Sequence, residues 1–390
     1  MTALARLFSE GFRVFFLAAG LYGLFAGAIW VLFLAGDGLA LAQVPSQWHA
    51  HEMVFGYATA ALGGFFLTAV PNWTGAPGAR QYFIALAAGL WLAGRLAVWY
   101  AGALPPVWVA LLDLAFLPVL SLKIVTQLLK RPKPQNLMFL LFLAYLWAAN
   151  LWLHLDWIGT GYGDAETGLR AGLAVLCALI SVLGGRITPA FTRNAMKRAG
   201  VAETLWPVSR APVERLALGL ALLLPGLVLG GAPDGLTGAV ALAFGAVQAF
   251  RLMRWGGLWC LSQPILWALH LALAMLAAGM ILWGLAGLGL GSELAALHLL
   301  GIGCVGGMTL AVMSRAALGH SGRPLVAPGP MVLGYGLMAA AALTRWAGSG
   351  LDALYLPAML LAGLLWTAAF ATYLAAMWPA LIGPRAGAAG

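Results

Sequence analysis

The stretch WHAHEMVFGYATAALGGFFLTAVPNW, Trp48 to Trp73, decides what kind of molecule this is. His49, His51 and Glu52 stand at its head, and a long, nearly uncharged apolar run follows. In a soluble protein such a run would be a core helix among charged surface segments. This chain has few charged segments to offer. Of its residues 63% are hydrophobic and only 8% charged, against about a quarter charged in an ordinary soluble domain. The run is therefore read as crossing a bilayer, whose hydrocarbon takes ~20 apolar residues to span. The 51 glycines and 17 tryptophans agree, since small residues let membrane helices approach and indoles favour the interface.

Working outward, twelve apolar runs of similar length follow one another, at roughly 12–35, 48–70, 81–101, 106–129, 136–156, 169–189, 213–230, 235–253, 262–285, 292–314, 329–347 and 352–380. Lipid offers no water to backbone groups, so each must be helical. The reading is all-α: a polytopic transmembrane helical bundle of about twelve helices, one integral-membrane domain over residues 1–390. Helices 2, 6 and 10 each end in a small, polar, basic stretch: TAVPNWTGAPGAR, GGRITPAFTRN and AVMSRAALGHSGR. That short echo fits four helices repeated three times. The longest polar segment, Arg186 to Arg215, lies on the inner side, and His320 falls in an inner loop.

The net charge is +9, and its distribution matters more than its size. With the N-terminus inside, 18 of the 21 Lys and Arg fall on the cytoplasmic side, as orientation by basic loops requires. Both termini are then cytoplasmic, and the basic loops face anionic lipid rather than nucleic acid. The N-terminus resembles a signal peptide, with ALAQ (Ala40 to Gln43) as its cleavage site. Its apolar run is too long for a signal h-region, so it is expected to remain as helix 1. Cys177, Cys260 and Cys304 lie far apart within apolar runs, with no C-x-x-C or C-x-x-C-H. Covalent haem and a zinc ribbon are thereby excluded, and the thiols read as packing.

On this topology His49 and His51, His154 and His298 occupy the outer ends of helices 2, 5 and 10, while His270 lies deeper in helix 9. An ionisable residue in lipid is costly and turns to the bundle interior. Four imidazoles at one depth point to a metal or haem site, because imidazole is the commonest nitrogen ligand of copper and haem iron. All six histidines are candidate ligands. Residues two apart on a helix face opposite ways, so His49 and His51 serve different neighbours. Glu52 is placed to orient an imidazole or cap the helix, and Asn150 to support His154 one turn on. The glycines after His298, from Gly301 to Gly307, admit a flat macrocycle or a second helix. Arg186 and Arg315, at inner helix ends, suit haem propionates or lipid. Asp113, the acid well within the apolar runs, is expected to pair with Arg95 across the bundle in a structural role. No Walker loop, G-x-S-x-G or H-E-x-x-H is present.

Two motifs, WHAHEMVFGYATAALGGFFLTAVPNWTG and HLLGIGCVGGMTLAVMSRAALGHSGR, with NLWLHL, GGRITPAFTRN and QPILWALHL between them, resemble the NnrS family over most of the chain. The resemblance implies a polytopic bacterial inner-membrane protein containing non-covalent b-type haem and copper, linked to the nitric oxide response in denitrifying and related bacteria. It places all six histidines, Glu52, Asn150, Arg186, Asn194, Arg315 and Arg323 at motif positions. It does not define a reaction, protein partners, or which histidine takes which metal. Twelve helices with a threefold echo are also similar to the catalytic subunit of haem-copper oxidases, whose helices 2 and 10 carry the axial histidines of one haem. That analogy puts haem between helix 2 and His298, with His51 favoured over His49. The oxidases' histidines on helices 6 and 7 are missing here, so their oxygen chemistry is not carried over. The expectation is a membrane protein that binds or detoxifies nitric oxide or its iron complexes. The alternatives are a metal or haem transporter, in which the histidines form a path, and a non-catalytic assembly or sensing protein.

Overall fold

The computed structural model describes residues 2–36, 38 and 41–387. Asp37 and Ala40, the latter in the ALAQ stretch, lie outside the described residues. Among the described residues there is no strand. The long helices are α1 (Gly11–Leu34), α2 (Pro45–Thr74), α3 (Gln81–Trp99), α4 (Pro106–Leu128), α5 (Pro134–Ile158) and α6 (Ala165–Arg198). They continue as α7 (Ala211–Leu229), α8 (Asp234–Met253), α9 (Pro264–Gly287), α10 (Glu293–His320), α11 (Gly329–Gly348) and α12 (Tyr355–Leu381). Eleven of them are long and apolar enough to cross a membrane by composition. The exception is α11, a 20-residue helix where one is expected, whose glycines, Thr344 and Arg345 dilute its apolar character.

Local chemistry explains the irregularities. Within α4 the ladder breaks at Ala115, between Pro106–Leu114 and Phe116–Leu128. Pro118 has no N–H to give the Leu114 carbonyl; the Trp147 indole donates to that carbonyl instead, at 3.1 Å. Two helices widen into π turns, at Glu52–Tyr57 in α2 and Leu299–Gly306 in α10. Each starts directly after a histidine, His51 or His298. Such turns are often found at functional sites.

Two expectations are corrected. The helix expected to end near residue 189 does not stop there, because α6 runs on through Pro189 to Arg198. Arg186 is thus well inside a helix rather than at its end. Likewise α10 continues through the basic stretch, and His320 is its last residue rather than a loop residue. Hydropathy could not see this, since Thr188 and Thr192 of α6 are fully buried despite their hydroxyls.

The chain forms two compact units. The first comprises the residues up to Gly172, Met313–Leu325 and the stretch from Phe370. In it α2 packs on α1 and α4, and α4 on α3 and α5. Its core is aromatic, built from Phe12, Phe15, Phe16, Phe66, Phe139 and Phe142. Arg13, which reads as a topology signal, has a second job. Its Nη1 donates to the carbonyls of Ala380, Leu381 and Gly383 at 3.3, 2.9 and 3.0 Å. It thereby satisfies the orphan carbonyls at the end of α12.

The second unit is Leu173–Val312 with Val326–Ala369. Its closest pair is α8 and α9. A Cβ on Gly238 would lie 2.9 Å from the Gly284 carbonyl oxygen, so only glycine allows this approach. Arg251 is buried here with Glu214, Nη2 to Oε2 at 2.6 Å.

Helix parity carries a test. If α11 crosses the membrane along with the eleven apolar helices, the C-terminus returns to the side of the N-terminus, which the distribution of basic residues leads one to expect in the cytoplasm. A C-terminal green fluorescent protein fusion is then expected to fluoresce, and an alkaline phosphatase fusion at the same place to be inactive. The opposite pattern would leave α11 outside the membrane.

Candidate metal centre

The first unit holds a knot of polar groups with almost no access to solvent. His51 and Glu52 are 0% exposed, His154 1% and Asn150 3%. They come from α2 and α5, and are joined by Arg95 of α3, Asp113 of α4 and Tyr22 of α1. The π turn helps to make this possible. A wider turn brings consecutive side chains closer in azimuth, so His51 and Glu52 both enter the knot.

Arg95 is its tie. Nη1 donates to Glu52 Oε1 at 2.6 Å, and Nη2 to Asp113 Oδ1. Glu52 also accepts from the Tyr22 hydroxyl on its other oxygen. Two glycines make the room. A Cβ on Gly56 would fall 2.8 Å from Arg95 Nη1 and 2.9 Å from Glu52 Oε2. One on Gly94 would fall 3.0 Å from Asp113 Oδ1. The Gly56 carbonyl, in the π turn, accepts from the Trp91 indole at 2.9 Å.

The histidines complete the arrangement. His51 Nδ1 lies 2.8 Å from Glu52 Oε1. A carboxylate only accepts, so this nitrogen carries the proton. In the neutral ring Nε2 is then a bare lone pair. It faces Asp113 Oδ2 and Asn150 Oδ1, each at 3.1 Å. His154 Nε2 approaches the same Asp113 oxygen at 2.9 Å, and Asn150 Nδ2 donates to it at 2.7 Å. One ligand atom from each of His51, Asp113 and His154 falls within 4.8 Å of the others. Acceptor atoms that converge in so buried a place are suited to holding a cation between them. The fixed charges say the same: two carboxylates and one guanidinium leave one negative charge buried, which is costly in the membrane interior. Two nitrogens and one oxygen suit copper(II), iron(II) or zinc, as imidazole and carboxylate donors do. Trp157 encloses the site, its ring centroid 5.1 Å from that of His51 and 5.4 Å from that of His154. Its indole is held by Gln47 at 2.9 Å.

Of the residues singled out in the sequence, His51, Glu52, Asn150 and His154 are brought together here. His49 is turned elsewhere, stacked on Trp30 at 4.2 Å, and His320 packs on Phe12 at 5.7 Å. In the second unit His270 Nε2 meets the Thr192 hydroxyl at 3.0 Å, which lies 3.6 Å from Cys260 Sγ. His298 Nδ1 lies 2.8 Å from the Leu294 carbonyl. That carbonyl only accepts, so Nδ1 is the donor and Nε2 keeps its lone pair for an electrophile. One turn on, Gly301 has open space where a side chain would be. An axial haem ligand would need both features. Arg186 is exposed and Arg315 half-buried. The sequence reading passed over Asp113 and Arg95 as a structural pair, and did not reach Tyr22 or Trp157. The signal was there, since an ionisable residue within a membrane helix marks function by default.

A family model described as NnrS protein matches residues 6–385. No curated protein matches the chain.

The tie generates a stability test. Arg95→Met strands Glu52 and Asp113 as uncompensated buried acids, at an expected cost of about 3–5 kcal/mol. Adding Glu52→Gln and Asp113→Asn should recover much of it. Unfolding of the purified variants in mixed micelles measures both. An Arg95→Met protein as stable as the parent would remove the tie from the account.

Proposed function

The chain belongs to the NnrS family, and from that premise we propose that it is a haem- and copper-binding protein of the bacterial inner membrane that protects the cell against nitric oxide. The observation that carries the proposal is the convergence of His51, His154 and Asp113 on one buried point. These three hold copper, and Glu52 and Asn150 orient them. Arg95 keeps both acids charged and in place. A +1 or +2 ion would bring the net charge of the knot to 0 or +1. His298 offers Nε2 to haem iron. His51 suits copper better than haem, because both its ring nitrogens are already engaged within the knot.

When bound, the two metals supply open coordination positions that take nitric oxide. The protein's own part is to exclude bulk water, through Trp157 and the burial of the ligands, and to fix the imidazole tautomers. Membership of the family fits a membrane protein of the nitric oxide response, and the donor set supports metal as the means.

Metal analysis of the purified protein tests the reading. The parent is expected to carry copper near one equivalent. His51→Ala, His154→Ala and Asp113→Asn should each lose at least ~10-fold in affinity, in line with the loss of a ligand or its orienting partner. His49→Ala and His320→Ala should keep it. Nitric oxide should shift the optical spectrum of the loaded parent. A protein that takes no copper or haem, or proteoliposomes that accumulate metal in a His51-dependent way, would replace this reading, the latter with transport.

A further inference from the structure

Arg345, in the last turn of α11, is 6% exposed. Each of the other deeply buried arginines has an acid beside it: Arg95 has Glu52 and Asp113, Arg251 has Glu214, and Arg13 has Glu10. Among the described residues no carboxylate lies within ion-pairing distance of Arg345. Its guanidinium has the Ser349 hydroxyl and the Tyr355 side chain, whose ring centroid is 5.8 Å away and whose hydroxyl is a second neutral partner. A buried cation served only by neutral groups wants an anion.

The neighbouring element supplies the other half of a site. The first turns of α10, which carry His298, pack against α11. His298 donates through Nδ1 to its own helix and presents a lone pair at Nε2. Beside it the widened turn leaves Gly301 open. A lone pair rejects a phosphate or carboxylate oxygen and accepts a metal; a guanidinium does the reverse. A ligand satisfying both must carry an electrophilic metal and an anionic arm on one frame.

We infer that His298 and Arg345 form a single haem subsite in the second unit, with His298 Nε2 taking the iron and Arg345 a propionate. This rests on the haem reading above and adds the anion anchor, a role for which the sequence alone suggested Arg186 and Arg315. The guanidinium can meet a carboxylate with two parallel hydrogen bonds.

The experiment compares iron protoporphyrin with its dimethyl ester, which lacks the carboxylates, on the full-length purified protein. Loss of each to excess apomyoglobin is timed for the parent and for Arg345→Gln. Native haem should leave Arg345→Gln about 10- to 100-fold faster, the range expected for a charged hydrogen bond. The dimethyl ester should leave both proteins at the same rate. The Soret band of Arg345→Gln should match the parent's, while that of His298→Ala should change and be restored by added imidazole. Equal rates of native haem loss from parent and variant would overturn the inference, as would equal acceleration of both porphyrins, which marks a packing defect. So would an unaltered Soret band in His298→Ala. A parent that takes up no haem removes the haem reading and the inference together; a haem-loaded parent indifferent to Arg345 removes the inference alone.

Discussion

A single guanidinium held between two acids organises the first unit. Arg95 bridges Glu52 of α2 and Asp113 of α4 where neither water nor lipid headgroup can substitute. Much of the local structure follows from accommodating that bridge. Gly56 and Gly94 leave space that a methyl group would fill, and the π turn lets two successive residues face inward. Tyr22 occupies the remaining lone pairs of Glu52, and Asn150 those of Asp113. The bridge is not neutral, and the excess negative charge sits where two imidazoles present their nitrogens. A buried polar network is stable only when all its members are satisfied. In the proposed reading, a cation at His51, Asp113 and His154 completes this one.

The two π turns use one device in two ways. Each begins immediately after a histidine near the start of a long helix, in α2 and in α10. In the first unit the histidine is followed by glutamate, and both ring nitrogens are drawn into the acid network. In the second it is followed by leucine, and the ring turns one nitrogen to its own backbone and leaves the other open. The two rings thus differ in surroundings: His51 is held among oxygens, and His298 has one nitrogen clear of its own backbone.

The fold was legible to the degree that lipid leaves little choice. Apolar runs of spanning length have to be helices, and the helix over 329–347 was found even though its glycines and Arg345 dilute it. The limits of that logic appear at Arg186–Arg198 and at His320. There a helix continues through polar residues that are buried by protein, and hydropathy measures only transfer to lipid. At the site, His51, His154, Glu52 and Asn150 were readable from depth and from one-turn spacing. Asp113 and Arg95 were noticed and undervalued, because a pair of opposite charges seemed complete by itself. That His51 meets this pair is not visible in the sequence, since α2 and α4 are joined only through tertiary packing. Nothing in the letters signals a π turn, which depends on how glycines are used once the neighbours have arrived.

X-ray absorption at the copper edge of the purified, copper-loaded protein goes most directly to the claim that this network is built around a cation. The expected result is coordination by nitrogen and oxygen alone, with the outer scattering of two imidazoles, and loss of one imidazole contribution in His154→Ala. A shell containing sulfur, or an imidazole count that His154→Ala leaves unchanged, would place the metal elsewhere and leave Arg95 and its acids as a purely structural knot.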